Sequence, residues 1–134
     1  MNIEYFVRPE HNLVVFAQTG RVPDDEFLEF YKSFFESDAF DPPMNILVDL
    51  RETSSSSRSP ETLLHFAELA EKELADVDHR TKVAVVAPRD TSFGLARMYE
   101  ILSDPINWDF VVFRAMDSAL AWLGLPEKLS VHSS

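Results

Sequence analysis

Short apolar runs alternate with segments of helical periodicity along this chain, and the alternation constrains the fold more tightly than any single motif. Two runs near the start are separated only by a turn, whereas each later run is followed by a helical segment. Strands separated by helices become parallel neighbours through right-handed crossovers. We therefore predict one α/β domain of order ββαβαβαβα, whose mixed, mostly parallel sheet begins with a hairpin. The five apolar runs are 2–8, 13–18, 44–50, 82–88 and 110–113.

Length, charge and cysteine content exclude several classes of function. The 134 residues suit one domain, which we assign to 1–126, followed by a polar C-terminal tail at 127–134. With no cysteine, disulfides and thiol chemistry are excluded. A net charge of −11 without a basic stripe predicts no binding to nucleic acid or anionic membranes. No run approaches the ~20 residues of a membrane span, and the start lacks a secretion signal, so we expect a cytoplasmic protein.

No catalytic or metal-binding motif is visible in the sequence. The four histidines do not pair with other ligands at metal-binding spacing. Three glycines are too few for a glycine-rich phosphate loop, and we interpret Gly94 as allowing close packing at the start of its helix. We therefore predict a protein that is not an enzyme and that needs no cofactor or metal.

The serine-rich stretch RETSSSSRSP, 51–60, lies between a predicted strand and a predicted helix. We interpret it as an exposed loop in which Ser59 caps the helix and Pro60 takes its first position. The alternative is that Ser59 or Ser57 accepts a phosphate, which the helix N–H groups and the charge of Arg58 would stabilise. Both interpretations stay open at this point.

Asp49 stands near the end of the buried run NILVDL, where its carboxyl group has two interpretations. Ligands of α/β proteins gather at the carboxyl ends of strands, so Asp49 and Arg58 are candidates for a site there. Alternatively, the Asp49 carboxylate accepts N–H groups of the loop that follows the strand.

The third helical segment, 91–104, presents two apolar faces. One is predicted to enter the core. The other aligns Phe93, Arg97 and Ile101, a composition typical of protein interfaces and a candidate surface for a homodimer or another partner. The alternative is that neighbouring elements cover Phe93 and Ile101. The predicted core face consists of Leu95, Met98, Tyr99 and Leu102.

The element order and several motifs resemble the STAS family, the sulfate-transporter and anti-sigma-factor-antagonist domains, and in particular its SpoIIAA-like branch. The motifs are NILVDLR at 45–51, VAVVA at 83–87, FGLARMYE at 93–100 and VVFRAMDSALAWL at 111–123. The resemblance implies a compact single domain that acts as a non-enzymatic interaction or regulatory module. In the antagonists, a serine at the start of the helix after the VDL strand is phosphorylated to control binding of a regulatory kinase.

This sequence departs from the standard phosphoserine signature of the antagonists, because its region SSSSRSPETLL has no glycine and contains a proline. Related domains also resemble lipid-binding Sec14-like proteins. The alternative function is therefore binding of a small apolar or anionic ligand, and an interior apolar cavity would favour it.

Overall fold

A single five-stranded sheet forms the centre of the molecule. The computed structural model describes residues 2–41, 44–53, 58–75, 80–102, 106–126 and 129. Strands β1 and β2 form the predicted antiparallel hairpin, and β2, β3, β4 and β5 run parallel. The order across the sheet is the order along the chain, and the predicted α/β class is confirmed. The strands are β1 (Ile3–Arg8), β2 (Leu13–Gly20), β3 (Asn45–Thr53), β4 (Thr81–Val86) and β5 (Trp108–Phe113).

Within the described residues, four α-helices cover the two faces of the sheet unequally. They are α1 (Asp24–Glu36), α2 (Pro60–Leu74), α3 (Asp90–Leu102) and α4 (Met116–Trp122). Helices α1, α2 and α3 pack on one face, and α4 packs on the other. Since side chains alternate along a strand, Val14 and Phe16 of β2 join the larger core under α1–α3, whereas Val15 joins the smaller core under α4.

An aromatic cluster fills the larger core between β2 and α1. Phe16 is 1% exposed, and its ring centroid lies 4.8 Å from that of Phe34 and 4.9 Å from that of Tyr31. In the sequence, the aromatic residues of α1 recur at helical spacing, which predicts one apolar face that enters the core. The structure confirms this prediction, because four residues of the face are buried and the fifth, Phe30, is partly buried. The four buried residues are Phe27, Tyr31, Phe34 and Phe35.

A glycine ends α4 where the sequence predicts a stop. Gly124 has a φ of 73°, and its N–H donates to the Ala121 carbonyl at 3.1 Å. The N–H of Leu125 donates to the Leu120 carbonyl at 2.9 Å, which completes a Schellman motif. Leu129 packs against the smaller core, and the other residues of the predicted tail lie outside the described residues.

The predicted core face of α3 is correct for two of its four residues. Tyr99 is buried and Leu95 packs against the larger core, whereas Met98 and Leu102 are 50% and 44% exposed. Ser92 and Ala96 are buried instead, because aromatic rings of α2 and β5 occupy the space beneath this helix and leave room for small side chains beside Tyr99. The rings that surround Tyr99 at centroid distances of 5.2–6.1 Å are those of Phe66, Phe110 and Trp108.

Two further expectations need correction. Gly94 is exposed, and a Cβ atom built there would meet nothing within 4 Å, so it does not serve close packing. The stretch 51–60 is not a loop throughout, because β3 continues to Thr53, which is buried and donates its hydroxyl to the Leu50 carbonyl at 2.8 Å. Ser54–Ser57 lie outside the described residues.

Candidate functional site

A cavity of about 110 Å³ lies in the larger core between the sheet and helices α1–α3. Its walls are mostly apolar and strongly aromatic. Ala96 and Ser92 of α3 contribute small side chains to the wall, and their size leaves space that larger residues would fill. The aromatic part of the wall consists of Phe16, Phe27, Tyr31, Phe35, Phe66, Tyr99, Trp108 and Phe110.

Arg58 provides the cationic group of the cavity wall. Its Nη1 donates to the Val22 carbonyl at 2.6 Å and pairs with Asp24 Oδ1 at 3.3 Å. Its Nη2 lies 3.4 Å from Gln18 Oε1, and the guanidinium stands 4.4 Å above the Phe27 ring. These contacts hold the guanidinium between the start of α1, the end of β2 and the start of α2.

Ser59, the neighbour of Arg58, is the N-cap of α2. Its Oγ accepts the N–H of Thr62 at 3.1 Å, and Pro60 is the first residue of the helix. Asp24 Oδ2 accepts the Ser59 N–H at 3.2 Å and the Thr62 hydroxyl at 3.0 Å. The start of α2 is therefore fixed to the start of α1. A phosphate on Ser59 would stand beside both Asp24 and Arg58, and phosphorylation there stays a prediction; Ser57 lies outside the described residues.

We expect Ser59→Ala to lower the free energy of unfolding by about 0.5–2 kcal/mol, because the substitution removes the capping oxygen. Ser59→Asn is the matched control, since it keeps an oxygen and adds no charge beside Asp24. Urea denaturation of the three proteins measures the effect. Equal stability of Ser59→Ala and wild type would show that the cap contributes nothing.

The Asp24 carboxyl is expected to make stability depend on acid pH. Burial pushes its pKa up, but the hydrogen bonds from Ser59 and Thr62 and the charge of Arg58 outweigh burial, and the pKa lies below its usual value of 3.8. The stabilisation is therefore present above the unfolded pKa and lost as the pH falls through the folded pKa. We expect the stability difference between wild type and Asp24→Asn to shrink from about pH 5 to pH 2. Urea denaturation across this range checks it, and a constant difference would contradict the assignment.

Two buried polar atoms in residues of the cavity wall have no hydrogen-bond partner within the part of the chain that the structure describes. They are Tyr99 Oη and Trp108 Nε1. Burial, with a smaller effect of Tyr31, raises the pKa of Tyr99, so its hydroxyl stays protonated. Burial also raises the pKa of Tyr31, whose hydroxyl is hydrogen-bonded to Gln18. The hydrogen-bonded polar groups of the wall are therefore those of Arg58 and Gln18, whereas Tyr99 Oη and Trp108 Nε1 are buried.

Asp49 lies outside this cavity, on the α4 side of the sheet. It is 2% exposed, and its Oδ1 accepts the backbone N–H of Arg51 at 3.0 Å. The Arg51 side chain adds bonds of 3.0 Å from Nε and 2.9 Å from Nη2. The carboxylate accepts an N–H from a residue that follows it, but this residue belongs to the extended strand rather than to a loop.

The three residues of the candidate α3 interface do not form one exposed stripe. Phe93 is partly buried against the larger core, and the Arg114 guanidinium stands 4.0 Å above its ring. Arg97 is exposed and pairs with Glu100 at 2.8 Å. Ile101 is 74% exposed. Phe93 is less exposed than Ile101 because the Arg114 guanidinium stacks on its ring, and a partner contact through these residues stays a prediction.

Of the cavity residues, only Arg58 was a candidate site residue in the sequence. Tyr99 was assigned to the core, and Trp108 lies just before the predicted strand at 110–113 and was given no role. The available signal was that each aromatic ring carries a polar group that must find a partner when buried.

Other kinds of site are not found in the described part of the chain. Among the described residues, no three histidine, aspartate or glutamate side chains come together in a way that could hold a metal ion. None of the helices that the structure describes is long and apolar enough to cross a membrane.

Comparison with known proteins supports the fold. Neither a family model nor a curated protein matches the sequence. Among solved structures, the chain matches the crystal structure of an uncharacterised DUF3478-family protein with a SpoIIAA-like fold from Shewanella loihica. The identity is 16%, the TM-score is 0.55, and the match covers 90% of this chain and 91% of that one. The chain is therefore an α/β domain with a SpoIIAA-like fold, as the resemblance implies.

Proposed function

We propose that this protein binds a small, mainly apolar molecule in the cavity between the sheet and α1–α3. The observation that carries the proposal is a mostly apolar, aromatic cavity of about 110 Å³ in the larger core. An engineered apolar cavity of about 150 Å³ is enough to bind benzene. The cavity therefore suits a compact molecule better than a long lipid chain.

A small apolar molecule would be stabilised by burial in this cavity. The wall is mostly apolar, so a molecule that enters it removes apolar surface from water. A ligand that binds only the folded state also stabilises that state.

Filling the cavity with a side chain tests the proposal. We expect benzene to bind the wild type with saturable shifts in its NMR spectrum, and Ala96→Leu to abolish binding because the larger side chain occupies the cavity. Ala121→Leu is the matched control, since Ala121 is exposed on α4 across the sheet. Absence of saturable binding to the wild type, or equal binding by Ala96→Leu, would contradict the proposal. Native mass spectrometry of freshly purified protein would reveal a co-purified ligand.

A second candidate function is protein interaction through α3. Three large apolar residues near the end of this helix are exposed, at 50%, 74% and 44%. The SpoIIAA-like fold and the resemblance to anti-sigma-factor antagonists support an interaction module whose partner is a second copy or a regulatory kinase. The exposed residues are Met98, Ile101 and Leu102.

Charge substitution on this surface tests the second candidate. We expect Met98→Lys with Ile101→Lys to weaken self-association in sedimentation experiments while the far-UV circular dichroism stays unchanged. Ala121→Lys is the control for added charge on another face. Phe93 is not substituted, because its ring is partly buried. If the wild type is monomeric and recovers no partner from its native cell, this candidate is wrong.

A further inference from the structure

We infer that two copies of this chain pair through the outer edge of β1, so that their two sheets join into one continuous sheet. β1 is an edge strand, because β2 is its neighbour on one side and the described residues provide no strand on the other. The outward backbone groups of an edge strand are a template for pairing with another chain. The strand IEYFVR contains neither proline nor glycine, so each of its residues can take part in such a pair. This surface is separate from the cavity and from the exposed end of α3.

A hydrogen bond of the hairpin shows which backbone groups of β1 face outward. The N–H of Thr19 donates to the Asn2 carbonyl at 2.8 Å, so the backbone groups of residue 2 face β2. In an antiparallel pair, the backbone groups of successive residues face alternately toward the neighbouring strand and away from it. The outward groups of β1 are therefore those of Ile3, Tyr5 and Val7.

The charges of β1 are complementary to those of a second copy in one register. When two β1 strands pair antiparallel about a two-fold axis at Phe6, Glu4 lies opposite the partner's Arg8, and the same contact occurs a second time by symmetry. In this register the two residues form a pair without backbone hydrogen bonds, in which side chains lie closer. Opposite charges directly across from each other stabilise such a pair. Arg8 also binds Glu10 at 2.9 Å, and a guanidinium has enough N–H donors for two carboxylates.

Aromatic side chains beside the edge give a second copy apolar surface to cover. Tyr5 is 38% exposed, and the ring centroid of the partly buried Phe30 of α1 lies 6.0 Å from that of Tyr5. In the register centred on Phe6, Tyr5 lies opposite the partner's Val7, and these two residues exchange backbone hydrogen bonds. Aromatic and β-branched side chains are a favourable pair across two strands. The edge is therefore complementary to itself, as the interface of a two-fold dimer must be.

The other edge strand, β5, lacks this complementarity of charge. Its one charged residue, Asp109, pairs with Arg80 at 2.8 Å. No two-fold register of β5 can place opposite charges of the strand across from each other. Charges on an edge strand commonly prevent pairing, whereas the opposite signs of Glu4 and Arg8 select a second copy as the partner of β1.

Charge reversal in two separate variants tests both the surface and the register. We expect the wild type to dimerise in sedimentation equilibrium, and Glu4→Arg and Arg8→Glu each to weaken dimerisation by at least about tenfold, because like charges then face each other twice in every dimer. An equimolar mixture of the two variants should form a heterodimer about as strongly as the wild type dimerises, since both cross-strand pairs again combine opposite charges. Glu68→Arg, at an exposed position of α2, is the control for the change in net charge.

Hydrogen exchange locates the contact independently of the variants. As the wild-type concentration rises, the amides of Tyr5 and Val7 should exchange more slowly, whereas that of Phe6, which faces β2, should not change. A wild type that stays monomeric at its highest soluble concentration would overturn the inference. So would a Glu4→Arg variant that dimerises like the wild type, the result expected if two copies meet through α3, or a mixture that does not form the heterodimer. None of these outcomes depends on the cavity, so the proposed function stands or fails separately.

Discussion

Phe16→Ala is expected to lower the free energy of unfolding by about 3–5 kcal/mol, the largest effect of any substitution considered. Phe16 is 1% exposed at the centre of the larger core and contacts rings from both β1 and α1. Removing its ring leaves a void that enlarges the neighbouring cavity. The surrounding rings are those of Tyr5, Phe30, Tyr31 and Phe34, at centroid distances of 4.8–6.2 Å.

Urea denaturation followed by circular dichroism measures this loss. Phe30→Ala is the matched control, because Phe30 belongs to the same aromatic cluster but is only partly buried. We expect the control to lose about half as much stability, in proportion to the smaller apolar area that leaves water. Equal losses for the two variants would show that the packing around Phe16 is not the centre of this core.

Arg51→Leu should destabilise the protein by about 3 kcal/mol near neutral pH, because it removes two guanidinium hydrogen bonds from the buried carboxylate of Asp49. The cost arises from the carboxylate rather than from the arginine, whose side chain is 41% exposed while that of Asp49 is 2% exposed. The backbone N–H of residue 51 still donates to Asp49, which keeps the loss toward the lower end of the range for buried pairs.

Two comparisons make this second prediction specific. Arg80→Leu removes a surface pair with Asp109 at 2.8 Å in which both side chains are about half exposed, so we expect a loss below about 1 kcal/mol. Combining Arg51→Leu with Asp49→Asn should restore most of the lost stability, since no charge is then left buried. If the double variant is less stable than Arg51→Leu alone, Asp49 does not carry the cost that we assign to it.

The sequence predicts the sheet and α1 well because each of these patterns is compatible with only one arrangement of buried and exposed residues. The stretches ILV at 46–48 and VAVVA at 83–87 are apolar at every position, and the aromatic residues of α1 share one side of the helix. The α3 segment differs, because apolar residues occur around most of its circumference. The volume of neighbouring rings from Phe66, Trp108 and Phe110 decides which side is buried, and that volume is known only from the packed structure.

The cavity shows the same limit for the candidate site. Arg58 and Ser59 were predictable as candidates because their chemistry is visible within one short stretch of sequence. Tyr99 and Trp108 belong to different elements, and their missing partners become visible only when α3 is packed on β5. The exposed end of α3 is equally a result of packing, since Met98 and Leu102 have the composition of a core face.

The identical order of the strands along the chain and across the sheet has a consequence for how the protein folds. Each crossover places its new strand beside the one just completed, so contacting strands are closer in sequence than in a sheet of shuffled strand order, which favours faster folding than in such a sheet. The domain can then assemble progressively from its hairpin as synthesis proceeds. Tyr99 and Trp108 both lie in the last crossover unit, so the aromatic wall of the cavity is completed only at the final stage, and a ligand would select chains that have completed the sheet.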